Sequence, residues 1–399
     1  MTEEPSAADS RMPAGLSRRR VLLGGAAAAA FGAGAALGTE RLITSPDGSV
    51  DQPPDLLAWH TGRHQCGVDV PARPPHHLLF SALTWSPVPG AGHVRQTLRH
   101  LGEAILDIVA DPPVELLPDG PVAMTVQVGL GPRAVQRFGD DRPGGRALPE
   151  FAGSSRIDPR ARGGDLVLLV ASDDSSVLAP VTRHLIALVN DFAPTMTVAW
   201  QQQGLRPDGK GPRTRTPLGH HDGVVVPDDA EDMAAGVWIA EGPAAGGTVG
   251  VARRFDIDHQ AFDALSADQQ DAVIGRRRID GAPLSGGTID DDVDLFAKSP
   301  DGRYLIPAHA HIRAAHPSFT ASPLMMRRSY GFSRTDRTSG LSSPGLLFLS
   351  YQNTPDTFIR TQLRMDEMDD LMTYTTATAE TSFLVLPGFD HNRPLGSTL

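Results

Sequence analysis

The sequence predicts an α+β fold of two ferredoxin-like domains, each an antiparallel sheet with helices packed on it. Two observations carry this. Along residues 77–202 apolar strand patterns and helical stripes follow one another as strand, helix, strand, strand, helix, strand. The second half repeats that order of elements without repeating the residues. The expected division is an export signal at 1–38, a linker at 39–55, an N-terminal domain at 56–210 and a C-terminal domain at 211–399.

Each element rests on its own pattern. Ser17, Arg18, Arg19 and Arg20 precede Val21 to Gly38, an uncharged stretch rich in Ala and Gly. This reads as a twin-arginine signal, which places the mature protein on the extracellular, cell-wall or periplasmic side. The competing reading, one membrane helix, has eighteen residues to span with, the short edge of what a bilayer needs. Pro46, Pro53 and Pro54 break the linker. His77 to Trp85 is a strand bounded by prolines, and Val94 to Val109 a helix with Leu98, Leu101, Ile105 and Ile108 on one stripe. Ala123 to Leu130 alternates as a half-buried strand, Gly131 to Gly139 starts a short helix, and Asp165 to Ala171 is a buried strand. Val177 to Val189 is the second helix, and Met196 to Gln202 the fourth strand. Gly204 to Pro217, rich in Gly, Pro and Arg, reads as the junction.

Beyond it, strands are expected near Ala235 to Ile239 and at Thr248 to Ile257, a helix at Asp258 to Ile274 ended by Gly275, and a strand at Gly345 to Tyr351. Helix Thr354 to Tyr374 and strand Ser382 to Leu386 close the chain. Between them Arg276 to Pro323 has no regular pattern, and an irregular run of that length inside a domain is usually functional.

Composition narrows the function classes. With 40% hydrophobic and 21% charged residues in 399, the chain can bury two ordinary cores. A net charge of -11 argues against nucleic acid and anionic membrane as partners, since both need a basic face. Cys66 stands alone, which excludes an internal disulfide, a cysteine zinc cluster, an iron–sulfur site and a thioether-attached cofactor.

The irregular run ends in PAHAHIRAAHPSFTASPLMMRRSYGF, Pro307 to Phe332. It brings His311, a residue type that ligates haem iron, close in sequence to Arg327, a charge fixed at any working pH. AHIRAAHP, LMMRRSYGF, GLLFLSYQ from Gly345 and GHHDG from Gly219 follow the order and spacing of a known family. So do GRHQCG from Gly62, GGDLVLLVA from Gly163, AWQQQG from Ala199 and VIGRRRIDGAPLSGG from Val273. Together these motifs resemble the dye-decolourising peroxidases over Gly62 to Gly388.

The resemblance implies a non-covalent haem b in the C-terminal domain. It implies hydrogen peroxide as oxidant and dyes, phenols or other one-electron donors as reductants, through an oxoferryl intermediate. His311 matches the proximal iron ligand, with His309 and His316 as neighbours that lack the following IleArg, and Asp369 the acid behind it. Asp222 and Gly223 match the distal acid and its glycine turn, and Arg327 the distal arginine. Arg328 is expected at a haem propionate or in solvent, with Arg253 and Arg254 as further propionate candidates. The chain departs from the family at His220 and His221, where an aromatic and a basic residue are frequent, and at Val224 to Val226, where Thr and Asn are. Bulky donors would be oxidised by electron hopping through Trp59, Trp85, Trp200, Trp238, Tyr304, Tyr330, Tyr351 or Tyr374, each of which packing alone would also explain. Two other readings stand beside this one: an exported haem-handling protein that acquires iron, as a deferrochelatase does, and a copper module built on His220 and His221. Export machinery is a partner in either haem reading, and a homo-oligomer is allowed for.

Overall fold

The computed structural model describes residues 55–139, 142–191, 196–207, 213–335 and 342–399. The expected signal at 1–38, nearly all of the linker and the expected boundary between the domains at 210 and 211 lie outside the described residues. Among the described residues no helix is long and apolar enough to cross a membrane.

The first half runs α1 (Leu56–His60), β1 (His77–Trp85), α2 (Ala91–Ala110), β2 (Thr125–Leu130), α3 (Pro132–Val135), β3 (Leu166–Ser172), α4 (Leu178–Asp191) and β4 (Met196–Leu205). The strands pair antiparallel in the order β2-β3-β1-β4, the ferredoxin-like order. All seven residues of β3 are buried because both faces are covered. Leu166, Leu168 and Val170 meet the stripe of α2 (Val94, Leu98, Leu101, Ile105) and of α4 (Val181, Leu185). Val167 and Leu169 meet Phe80 and Trp200 on the opposite face. Each such side chain taken from water stabilises the fold by about 1.5–3 kcal/mol.

The second half adds β5 (Thr214–Arg215), β6 (His221–Asp222), α5 (Ala230–Gly236), β7 (Thr248–Ile257), α6 (His259–Asp263), α7 (Ala267–Ile274), α8 (His311–Ala314) and α9 (Pro317–Thr320). It ends with β8 (Met326–Arg327), β9 (Tyr330–Thr335), β10 (Ser342–Gln352), α10 (Pro355–Met368) and β11 (Thr375–Val385). Here β11, β7, β10 and β9 repeat the ferredoxin-like order. Two seams join the halves: Leu384 and Val385 of β11 against Leu130 and Gly129 of β2, and Leu205 of β4 against Gly331 of β9. With β7 also paired to β10, the strands close into a ring around Phe80, Trp200, Leu347, Leu349, Tyr351 and Phe383. Phe383 fits only because Gly129 and Gly250 lack side chains; a Cβ there would lie 2.4 and 2.3 Å from its ring.

Several expectations are corrected. The strand near Ala235 to Ile239 is instead the end of α5, started by the Asp229 carboxylate accepting from the Asp232 N–H at 2.8 Å. The helix expected over Asp258 to Ile274 is two, because Ser266 and Gln269 form a capping box that begins α7 afresh. The one expected over Thr354 to Tyr374 stops at Met368, where Asp369 turns the chain into a 3-10 turn. The last strand starts seven residues earlier than expected, at Thr375, since backbone pairing with β7 holds the polar TTATAE segment. Strands β8 and β9 gave no separate pattern in the sequence.

Candidate functional site

Alternation along two strands builds the site wall. On β10, Leu347 and Leu349 face the ring interior while Leu346 and Phe348 face outward. On β7, Ala252 faces inward and Phe255 and Ile257 outward. Against this outer face α10 and the 276–323 segment leave a cavity with an empty space of about 1670 Å³, counted out to its mouth.

His311 begins α8 and lines that cavity. Its Nδ1–H donates to Asp369 Oδ2 at 2.6 Å, and the other carboxylate oxygen accepts from the Leu371 N–H at 2.9 Å. Asp369 is thereby locked at the end of α10 with its side chain wholly buried. This fixes the tautomer and leaves Nε2 for a ligand. One third of the His311 side-chain surface, 33%, is open, and the residue lines the cavity. Desolvation would lower the imidazole pKa, but the Asp369 carboxylate overrides it and the net shift is upward.

Asp222 comes from β6, whose partner β5 holds it by the pairing Thr214 to Asp222. Its Oδ1 accepts from the Gly223 N–H at 2.7 Å and stands 3.8 Å from Arg327 Nη2. Gly223 has φ 68° and Gly219 φ 82°, a left-handed backbone that favours glycine at both ends of the motif. Arg327 donates from Nη1 to the Val225 carbonyl at 2.9 Å, which orients its guanidinium beside Asp222. His311, Asp222, Gly223 and Arg327 thus converge on one cavity from separate elements.

Three arginines do not join them. Arg328 follows β8 one residue after Arg327, so its side chain leaves on the opposite face. It is buried inside the ring, donates to the Pro71 carbonyl at 2.7 Å, and desolvation pushes its pKa down to about 10. Arg253 is buried between Phe151 and Phe255 and pairs with Glu380 at 3.3 Å. Arg254 lines a different cleft. The expectation that any of the three meets a cofactor in this cavity is corrected on that geometry.

His220 is buried, with Nε2–H donating to Asp271 Oδ1 at 3.0 Å, and His221 also lines the cavity. Desolvation lowers the pKa of both, against the pull of Asp271 at His220 and with the help of Arg215 and Arg213 at His221. Among the described residues, neither histidine belongs to a group of three or more potential metal ligands, which Asp228, Asp229 and Asp232 do form. Of the aromatic candidates Trp85, Trp200, Tyr330 and Tyr351 are buried, Trp59, Trp238 and Tyr374 half-buried and Tyr304 exposed. Sequence reasoning missed Asp271, which holds His220, and, in the wall itself, Arg276 and the α10 residues Phe358, Thr361, Gln362 and Met365. The last four recur at helical spacing, which was the available signal.

A haem passes the test of fit on this structure. A cavity with an open mouth and walls formed by Leu218, Phe255, Ile257, Ile274, Leu346 and Phe348 suits a flat apolar macrocycle. One imidazole with a free Nε2 and a carboxylate behind it is a donor set for iron.

Fold and site together define a class: an α+β protein with a closed strand ring that keeps, on its outer face, an imidazole, an acid and a guanidinium around room for a large apolar cofactor. Comparison with known proteins gives the same answer. The family models described as Dyp-type peroxidase, N-terminal and Dyp-type peroxidase, C-terminal match residues 94–206 and 213–390. The chain belongs to the Dyp-type peroxidase family. It is 30% identical to a dye-decolorizing peroxidase of Thermobifida fusca over 70% of this chain and 68% of that one. A deferrochelatase of Escherichia coli is 31% identical over 59% of this chain and 58% of its own length. Among solved structures, a DyP-type peroxidase from Cellulomonas bogoriensis superposes with TM-score 0.75 at 30% identity, covering 85% of this chain and 96% of that one. Ferric DtpA from Streptomyces lividans does so with TM-score 0.77 at 26% identity, covering 86% and 98%.

Proposed function

We propose that this chain is a haem b peroxidase that reduces hydrogen peroxide and takes the electrons, one at a time, from dyes, phenols or similar donors. We further propose export by the twin-arginine route, on the strength of Arg18 to Arg20 and the apolar stretch after them. The observation that carries the peroxidase reading is the convergence of His311 with its Asp369 hydrogen bond, and of the Asp222–Arg327 pair, on one apolar cavity.

A bound haem would supply the redox chemistry of peroxide reduction. The chain's residues do the rest. His311 Nε2 would hold the iron, and Asp369 keeps the ring oriented and basic by accepting its Nδ1 proton. Asp222 Oδ1 is occupied by the Gly223 N–H, which leaves Oδ2 to take the proton from one peroxide oxygen and return it to the other. Arg327, already held by the Val225 carbonyl, stabilises negative charge as the O–O bond breaks. The apolar wall keeps bulk water from the reacting oxygens.

Stopped-flow absorption of the haem-loaded protein with hydrogen peroxide tests this reading. Asp222→Ala and Arg327→Ala are each expected to slow the peroxide-induced spectral change, by roughly 10²–10⁴ for the acid. Variants as fast as wild type would remove both roles. Haem-loaded wild type that ignores peroxide but releases iron would favour the deferrochelatase reading, which the relative in Escherichia coli keeps in view.

A further inference from the structure

A second cleft, with an empty space of about 2000 Å³ counted out to its mouth, opens between β4, β11 and the 158–165 loop. It is the inner-face counterpart of the first site: Arg254 enters this cleft, while Phe255, next along β7, lines the cavity on the outer face. Three of its arginines are neutralised in place, Arg133 by Asp165 at 2.6 Å, Arg160 by Asp158 at 2.9 Å and Arg162 by Glu380 at 3.1 Å.

Arg254 is the exception. Its Nε donates to Thr378 Oγ1 at 2.9 Å and its Nη2 to the Thr378 carbonyl at 3.1 Å, so the fork is fixed before any ligand arrives. Among the described residues no carboxylate forms an ion pair with it. Its guanidinium carbon stands 5.9 Å from the centre of the Trp200 ring, whose Nε1–H is held by Thr381 Oγ1 at 2.9 Å. Leu148, Pro159, Ala161 and Val198 continue the apolar wall. The carboxylate that attracts it through space, Asp256, is already engaged by Arg334, so this half-buried cation lacks a contacting counter-charge and has lost hydration that an anion would restore. We propose that this cleft binds an aromatic carboxylate or sulfonate, with Arg254 on the anionic group and the apolar wall, including the Trp200 edge, on the ring.

Calorimetric titration of the haem-loaded chain with naphthalene-2-sulfonate, and separately with 2-naphthoate, tests the site. Wild type is expected to bind one equivalent of at least one probe without moving the Soret band. Loss of the charged partner in Arg254→Gln is expected to weaken binding about tenfold or more. Val198 is 45% exposed at the rim, so Val198→Glu adds repulsion without touching a buried group and is expected to weaken binding too. The uncharged 2-naphthol should bind more weakly than either anion. Failure of both probes to bind wild type, equal affinity in wild type and both variants, or a shifted Soret band on binding would each overturn the assignment.

Discussion

His60 shows how one residue ties fold to pH. Its Nδ1–H donates to the Leu56 carbonyl at 2.7 Å and its Nε2 accepts from the Val126 N–H at 3.1 Å, an arrangement only the neutral ring can make. Burial, opposed by the Leu56 bond, pushes its pKa down to about 4 from 6.5. A depressed base favours folding fully above its unfolded pKa, and that contribution is lost as pH falls from 6.5 through 4. The loss amounts to about 3 kcal/mol. Denaturant unfolding at pH 7 and at pH 4 is therefore expected to differ less in His60→Gln, by roughly that amount; an undiminished difference would mean His60 does not titrate with folding. At this scale the sequence was legible where neighbouring letters specify a residue, as IleArg does for His311 and the glycines do for Asp222. It misled at Arg328, because which way a side chain leaves depends on strand parity, and β8 is too short to announce itself.

At the scale of elements, the site depends on how α7 hands the chain to the long segment. Gly275 caps α7 at φ 92°, and a Cβ there would lie 2.6 Å from Ile312 Cγ1, beside His311. Gly275→Ala is expected to destabilise the protein by about 1–2 kcal/mol from the left-handed backbone alone. Pushing Ile312 should also loosen haem retention. Thermal unfolding with and without haem checks both, and a variant matching wild type in each would show that the contact relaxes freely. Strong stripes such as those of α2 and β3 could be read from the sequence because burial set their period. The two-residue strands β5, β6 and β8, which place Asp222 and Arg327, could not, because long-range pairing creates them.

At the scale of the whole molecule, the two ferredoxin-like halves were legible as element order, but the closed ring was not. Closure rests on register contacts such as Leu205 with Gly331, which no local pattern encodes. The ring fills its interior with side chains and leaves an outer face for the first cavity, so cofactor binding is a property of the assembled fold. Titrating haem into the purified chain while recording the Soret band tests this most directly. Wild type is expected to take up one equivalent with a sharp band, and His311→Ala to bind weakly with an altered iron spectrum. Wild type that stays colourless, or His311→Ala with an unchanged spectrum, would contradict the account.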